Sequence, residues 1–277
     1  MNLINYVNMW DNIIKELLNN PPQKSYPLSY GIAIQSDFIP EPFIGNPDNC
    51  SFVIVNLNPG EGQCHSCIEH KNIVGTLVNR VKTKGYSKAV EDFPYLRNEA
   101  SVGLINWDNS AGRKWWKAKE RWIKHIIKMY EPSYNPLCPI PNDRFPFAME
   151  LFAWHTAKWP NNLNNKMKKG GIYGSCIKSD VLDPIYEAIQ KSKCKFAYCV
   201  GKPIGDIIDS FAYSVNFTKI NSQPIKPIPD IERYYDVYSD AKGCFIVNTW
   251  AQGGNTYPSD KFYKAEENLF RQYKIAP

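Results

Sequence analysis

The chain has 277 residues, 43% of them hydrophobic, and a formal net charge of +6. That apolar content supports a sizeable core and excludes a disordered chain, and the length suits one large domain or two small ones. No apolar run approaches the roughly 20 residues that span a bilayer, so the sequence does not read as a helical membrane protein. The charge is too mild for a histone-like tail, although its sign suits an anionic partner.

The first residues carry Asp11 and Lys15 inside their apolar pattern and lack a small-residue cleavage site, so they do not read as a signal peptide. The 8 cysteines are therefore expected as reduced thiols in the cytoplasm. Aromatic residues make up 14% of the chain, an excess that must pack in the core or stack on a ligand.

In chain order, Leu3, Val7, Trp10, Ile13, Ile14, Leu17 and Leu18 fall at helical spacing and stop at a double proline, which predicts a helix over residues 3–19. Residues 26–50 are rich in Pro and Gly and read as irregular, with one short strand at 31–34. Residues 51–57 form a continuous apolar run that ends at Asn58-Pro59-Gly60, the pattern of a buried parallel strand stopping at a turn. A helix is expected within 69–84, and a basic one over 113–130. Residues 147–154 read as a second buried strand, 160–178 as a polar loop and 180–191 as an amphipathic helix. A third buried strand covers 195–201 and leads into a helix over 203–211. Residues 219–230 hold three prolines and read as a surface connection. A hairpin follows, 234–238 with 244–249, turning at 240–243. A last helix is expected over 259–273. Buried strands alternating with helices predict a mostly parallel sheet covered on both faces, and no clear linker divides the chain, so one domain is expected over 1–277 with residues 1–25 as an N-terminal helical extension.

In such a sheet ligands bind beyond the carboxyl ends of the strands. Four polar segments lie there: 56–63, 152–158, 201–205 and 249–255. The first, Asn56-Leu57-Asn58-Pro59-Gly60, preceded by Phe43-Ile44-Gly45-Asn46-Pro47, resembles the first motif of the uracil-DNA glycosylase superfamily, closest to its mismatch-specific and single-strand-selective branches. The leading Gly of that motif is Asn56 here. The same residues also make a plain turn after a strand. The resemblance implies a three-layer α/β/α fold with a mostly parallel central sheet, DNA as partner, a flipped base and hydrolysis of its N-glycosidic bond. The motif's Asn, which holds the attacking water in those branches, falls on Asn58. Cleavage through an oxocarbenium-like state needs a positioned water and donors for the departing base more than a strong nucleophile, so an Asn suits that position.

Within the resemblance, Glu150, His155 and Thr156 are placed to hydrogen-bond the base, with His155 as a catalytic candidate beside Asn58 and with Phe152 or Trp154 available to stack. Asn56, Pro59, Gly60, Glu61 and Gln63 line the base pocket. Lys202, after the Gly201 turn, meets a phosphate. The family's second motif has no counterpart triplet in residues 248–255. Gln252 and Asn255 are amide substitutes there, and Gly253 and Gly254 let the backbone approach DNA; this departure points away from uracil and toward a non-standard or modified base, in repair or in defence against phage. The basic helix interleaves Arg113, Lys114, Lys117, Lys119, Arg121 and Lys124 with Trp115, Trp116 and Trp122, which suits a nucleic-acid backbone and equally a helix with a packed Trp face and a solvated Lys face. Asp108 is the carboxylate of interest before it.

No lysine flanks the Asn58 turn, so no lyase step is expected. A monomer without cofactor or metal is expected. The alternatives are a non-catalytic nucleic-acid-binding module of the same fold and a zinc hydrolase built on Cys64, His65, Cys67 and His70.

Overall fold

The structure is a computed structural model and describes residues 1–20, 26, 28–57, 59–97, 111–156, 163–251 and 257–276. The helices are α1 (Leu3–Asn19), α2 (Leu77–Lys84), α3 (Tyr86–Val90), α4 (Ala111–Tyr130), α5 (Leu163–Met167), α6 (Gly174–Ile177), α7 (Asp183–Lys191), α8 (Lys202–Phe211) and α9 (Tyr263–Gln272). The strands are β1 (Phe43–Ile44), β2 (Val53–Asn56), β3 (Phe147–Glu150), β4 (Phe196–Val200), β5 (Thr218–Lys219), β6 (Arg233–Ser239) and β7 (Phe245–Ala251).

These strands form one mixed sheet in the order β1-β3-β2-β4-β7-β6-β5. Its centre, β3-β2-β4-β7, is parallel, and β1, β6 and β5 join it antiparallel. The central strands are apolar on both faces, as a sheet buried between two helical layers requires. Directly paired residues project to the same face. Ile54 and Tyr198 therefore share one face with Phe196, and Val53, Phe147 and Ala197 share the other. Trp122 of α4 covers the first face, its ring 6.0 Å from Phe52 and 4.5 Å from Tyr198, and Phe270 of α9 meets Phe196 at 5.5 Å. The second face is covered by α8, whose Ile204, Ile207 and Ile208 are buried, and at the β1 edge by Tyr6 of α1 and Tyr86 of α3 against Phe43. The chain is thus a mixed α/β protein with helices on both faces of a central sheet.

Helix α1 starts at Asn2, whose side chain accepts the Asn5 N–H at 2.8 Å, and it buries Leu3, Tyr6, Val7, Trp10, Ile14, Leu17 and Leu18 in the common core. Several elements differ from the sequence expectation. Residues 31–34 form no strand: Tyr30 and Gly31 take positive φ values, and Gln35 N–H bonds the carbonyl of His155 instead of a neighbouring strand. The helix expected within 69–84 is broken at Gly75 (φ +89°) and restarts as α2 under a Thr76 cap. The second strand ends at Glu150 and not at residue 154, although the Leu151 and Phe152 amides still bond the carbonyls of Asn56 and Leu57. Residues 163–167 and 174–177 of the expected polar loop are short helices, anchored by buried Leu163, Met167 and Ile177. The helix expected over 180–191 opens through a π-turn at Lys178–Leu182 before Pro184, which has no N–H for the regular ladder. Among the described residues no helix is long and apolar enough to cross a membrane.

Behind the first face, the buried Glu266 carboxylate accepts the hydroxyls of Tyr198 and, at 3.1 Å, Tyr235. Burial outweighs these donors and the nearby Arg233 charge, and it pushes the carboxyl from 4.5 up to about 7. A raised native pKa favours the fold while the proton stays on. The contribution is complete below about 4.5 and is lost as the pH rises through about 7, a change of about 3 kcal/mol. Denaturant midpoints of the wild type are expected to fall across that window, and Glu266→Gln to flatten that part of the slope. An unchanged slope in the variant would contradict the assignment.

Candidate active site

A cavity of about 410 Å³ lies at the carboxyl ends of β2, β3 and β4, on the face covered by α4. Its walls bring together Asn56, Pro59, Gly60, Glu61, Gln63, Glu150 and His155, seven positions singled out from the sequence. They are joined by Glu41, His65, Tyr95, Trp115, Trp116 and Tyr257, which the sequence reading did not place there.

Three irregular segments meet above the strand ends because their backbone groups bond one another. Glu41 N–H bonds Ala153 O at 2.9 Å, Thr156 N–H bonds Gly60 O at 3.0 Å, and Ile39 N–H bonds Ser66 O at 3.0 Å. Gly60 sits in the left-handed region (φ +82°), which turns the chain sharply out of β2. This stitching holds two polar groups.

The first centres on Glu41. His155 Nε2 lies 3.3 Å from Glu41 Oε1, and His155 Nδ1 lies 3.3 Å from the Gly60 carbonyl, so both ring nitrogens face acceptors. Tyr95 donates its hydroxyl to Glu41 Oε2, and His65 Nε2 lies 3.2 Å from that hydroxyl and 3.8 Å from Glu41 Oε1. Burial alone would push the Glu41 carboxyl up. The hydrogen bond and charge of His155, the charge of His65 and the Tyr95 hydroxyl overturn that and hold it below the usual carboxylate range. Burial pushes the His65 imidazole down, with Glu41 opposing and His155 adding to the effect.

The second group is built by strand register. Asn56 and Glu150 are paired across β2 and β3, and Asn56 Nδ2 donates to Glu150 Oε1 at 2.9 Å. Tyr257 donates to Asn56 Oδ1 at 2.9 Å, which fixes the amide from its other side. Burial raises the Glu150 carboxyl well above its ordinary value, with the Glu41 charge adding and the Asn56 hydrogen bond opposing. Its second oxygen is buried and has no hydrogen-bond partner among the described residues. Burial thus favours the protonated form of Glu150, a carboxyl that lines the cavity.

The aromatic wall is built of rings that contact one another. Trp115 meets Trp116 edge-on at 4.7 Å and Tyr257 at 5.4 Å, and Lys119 lies 3.8 Å over the Trp115 ring. Burial pushes the Lys119 ammonium down to about 8.

Other sequence candidates lie elsewhere. Phe152 does not stack in the cavity: it is 1% exposed and packs against Tyr30 at 6.3 Å, because the chain turns after Glu150 and sends this side chain into the core. Trp154 likewise packs on Trp10 and Tyr26. Thr156 is buried outside the cavity lining. Arg113 is buried and Lys114 exposed, and neither lines the cavity; the tryptophans after them do. Lysines of α4 pair locally, Lys117 and Lys124 each meeting Glu120 at 3.1 Å. Lys202 lines a second cavity on the opposite face. His65 belongs to the Glu41 group, and His70 Nδ1 bonds the Cys64 carbonyl at 2.8 Å and not its thiol, so the Cys64–His70 stretch gathers no set of three metal-binding side chains among the described residues. Asn58, Asp108, Gln252, Gly253, Gly254 and Asn255 lie outside the described residues.

Signals for the missed residues were faint. Glu41 is a lone acid between Pro40 and Pro42 in an irregular stretch, and Tyr95 and Tyr257 have no neighbouring motif. His65 drew notice only as a metal candidate.

Tyr95→Phe is expected to lower stability by about 1–3 kcal/mol, because it removes the hydroxyl donor from a buried carboxylate. Denaturant midpoints measure it, and an unchanged midpoint would show that Glu41 does not depend on Tyr95.

No family model, no curated protein and no solved structure matches the chain.

Proposed function

We propose that this chain is a monofunctional DNA glycosylase that hydrolyses the N-glycosidic bond of a flipped, non-standard or modified base. The observation that carries the reading is the buried Glu150 of the cavity wall, whose Oε2 has no hydrogen-bond partner among the described residues, together with the aromatic rings of the same wall. A flipped base is held by stacking and by hydrogen bonds to its edge, and its departure is eased by a donor to the atom that gains charge. Trp115, Trp116 and Tyr257 offer the ring surfaces. Glu150 offers the proton.

In this reading the bond between the sugar C1′ and the base nitrogen breaks with its electron pair going to the base. Glu150 stabilises that charge by donation. Water adds to the electron-poor C1′, and its proton passes to the Glu41–His155 pair. Little base strength is needed, because water bound to an oxocarbenium-like carbon is strongly acidified. The likeness of residues 56–60 to the first glycosylase motif assigns the placing of that water to Asn58. DNA is the partner, and the exposed Lys202 and Lys114 remain candidates for its phosphates, whereas Arg113 is buried. The chemistry fits either repair or defence against foreign DNA.

The test is a base-release assay on oligonucleotides containing uracil or deaminated purines and on phage DNA with modified bases, followed by alkali to break abasic sites. Wild-type protein is expected to release one of these bases, Asn58→Ala to abolish release, and Glu150→Gln to slow it about 100-fold, the usual scale of a lost proton donor. Tight, salt-sensitive DNA binding with no base released from any substrate would replace the proposal with a non-catalytic binding module.

A further inference from the structure

The register that places Asn56 and Glu150 on one face of the sheet places Asn248 on the other. Asn248 pairs with Cys199 of β4 and Asp236 of β6, and its side chain projects with theirs under α8. It is fully buried, and neither its Oδ1 nor its Nδ2 has a hydrogen-bond partner among the described residues. A buried amide with both ends idle is rare in a folded chain. Here it lines a cavity of about 220 Å³ bounded by α8, β6 and β7, together with Lys202, Asp206, Asp209, Asp236 and Trp250. Glycine at position 205 makes room for it, since a Cβ there would come within 2.2 Å of Asn248 Nδ2.

We propose that this second cavity is a nucleotide subsite that reads an amino-bearing base, adenine best, through the Asn248 amide. An amide side chain matches the adenine edge, one donor and one acceptor to each partner. The other polar groups of the wall are already engaged: Lys219 bridges Asp236 at 3.0 Å and Asp209 at 3.8 Å, Tyr238 donates to Asp209 at 3.1 Å, and Lys168 meets Asp206 at 3.4 Å. The carboxylates make the wall rich in acceptors, which favours an exocyclic amine and opposes the carbonyl edges of uracil and thymine. Trp250, held by stacking on Tyr234 at 5.8 Å, provides a ring wall. Lys202 stands at the rim on the first turn of α8, exposed and with no ion-pair partner among the described residues, where the helix start also favours a phosphate. At about 220 Å³ the cavity is below the usual range for a drug-sized ligand, so it takes the base and leaves the sugar and phosphate toward the rim.

Calorimetric titration of the full chain with 5′-AMP, adenosine and 5′-UMP tests this. AMP and adenosine are expected to bind, and UMP at least tenfold more weakly. Lys202→Ala should weaken AMP and leave adenosine unchanged. Asn248→Leu, similar in volume, should abolish binding of both without lowering the thermal midpoint, because the free amide contributes nothing to the fold. Glu150→Gln should bind AMP as the wild type does, which keeps this site separable from the glycosylase reading. Competition with a single-stranded deoxyadenosine oligonucleotide distinguishes the sources: displacement of AMP assigns the site to a DNA strand, and its absence to a free nucleotide. The proposal is overturned by absence of AMP binding to the wild type, by equal affinity for UMP, or by an Asn248→Leu variant that binds normally or melts earlier.

Discussion

A carboxyl group at the end of a buried strand must either find a partner or keep its proton, and in this chain the register of β2 against β3 decides how Glu150 does both. Pairing Val53 with Phe147 carries Asn56 opposite Glu150 three residues later. The amide occupies one oxygen, burial favours the protonated form, and the other oxygen has no hydrogen-bond partner among the described residues. A slip of one residue would turn Glu150 to the other face and break the arrangement at once. The strand register is therefore a chemical specification as well as a packing one.

Around that pair the aromatic residues act as scaffold. Trp122 touches Phe52, Tyr198 and Tyr257, so a single core side chain links the sheet, α4 and the segment that carries Tyr257 to Asn56. The Glu41 group is held differently, by backbone bonds among irregular segments and by a charge network of Glu41, His155, His65 and Tyr95. The cavity has a neutral donor on the sheet side and a charged cluster on the loop side. Such separation of two carboxyls, one kept neutral and one ionised, is how a single pocket can both donate and accept protons.

The main elements were legible in the sequence because their signals are local. Apolar runs ending in Asn-Pro-Gly or in Gly201 marked β2 and β4, and the spacing of Trp10, Ile14, Leu17 and Leu18 marked α1. Seven cavity residues were found because loops after parallel strands converge at one end of a sheet. Glu41, Tyr95 and Tyr257 were not, since contacts across 54 residues (Tyr95 to Glu41) or 201 residues (Tyr257 to Asn56) leave no periodic trace. Phe152 was misplaced because strand length cannot be read from apolarity alone when the chain leaves the sheet and stays buried. The break at Gly75 and the π-turn before Pro184 show the same limit: a helical pattern of apolar residues survives interruptions that backbone conformation imposes.

The central claim is that Glu150 is a neutral donor inside the cavity. Carbon-13 NMR of the protein labelled at glutamate side-chain carboxyls, with Glu150→Gln to identify the signal, measures this directly across pH. The expected result is a Glu150 carboxyl that stays protonated where exposed glutamates, with pKa values of about 4.3, are already ionised. A Glu150 signal that titrates together with those exposed residues would contradict it.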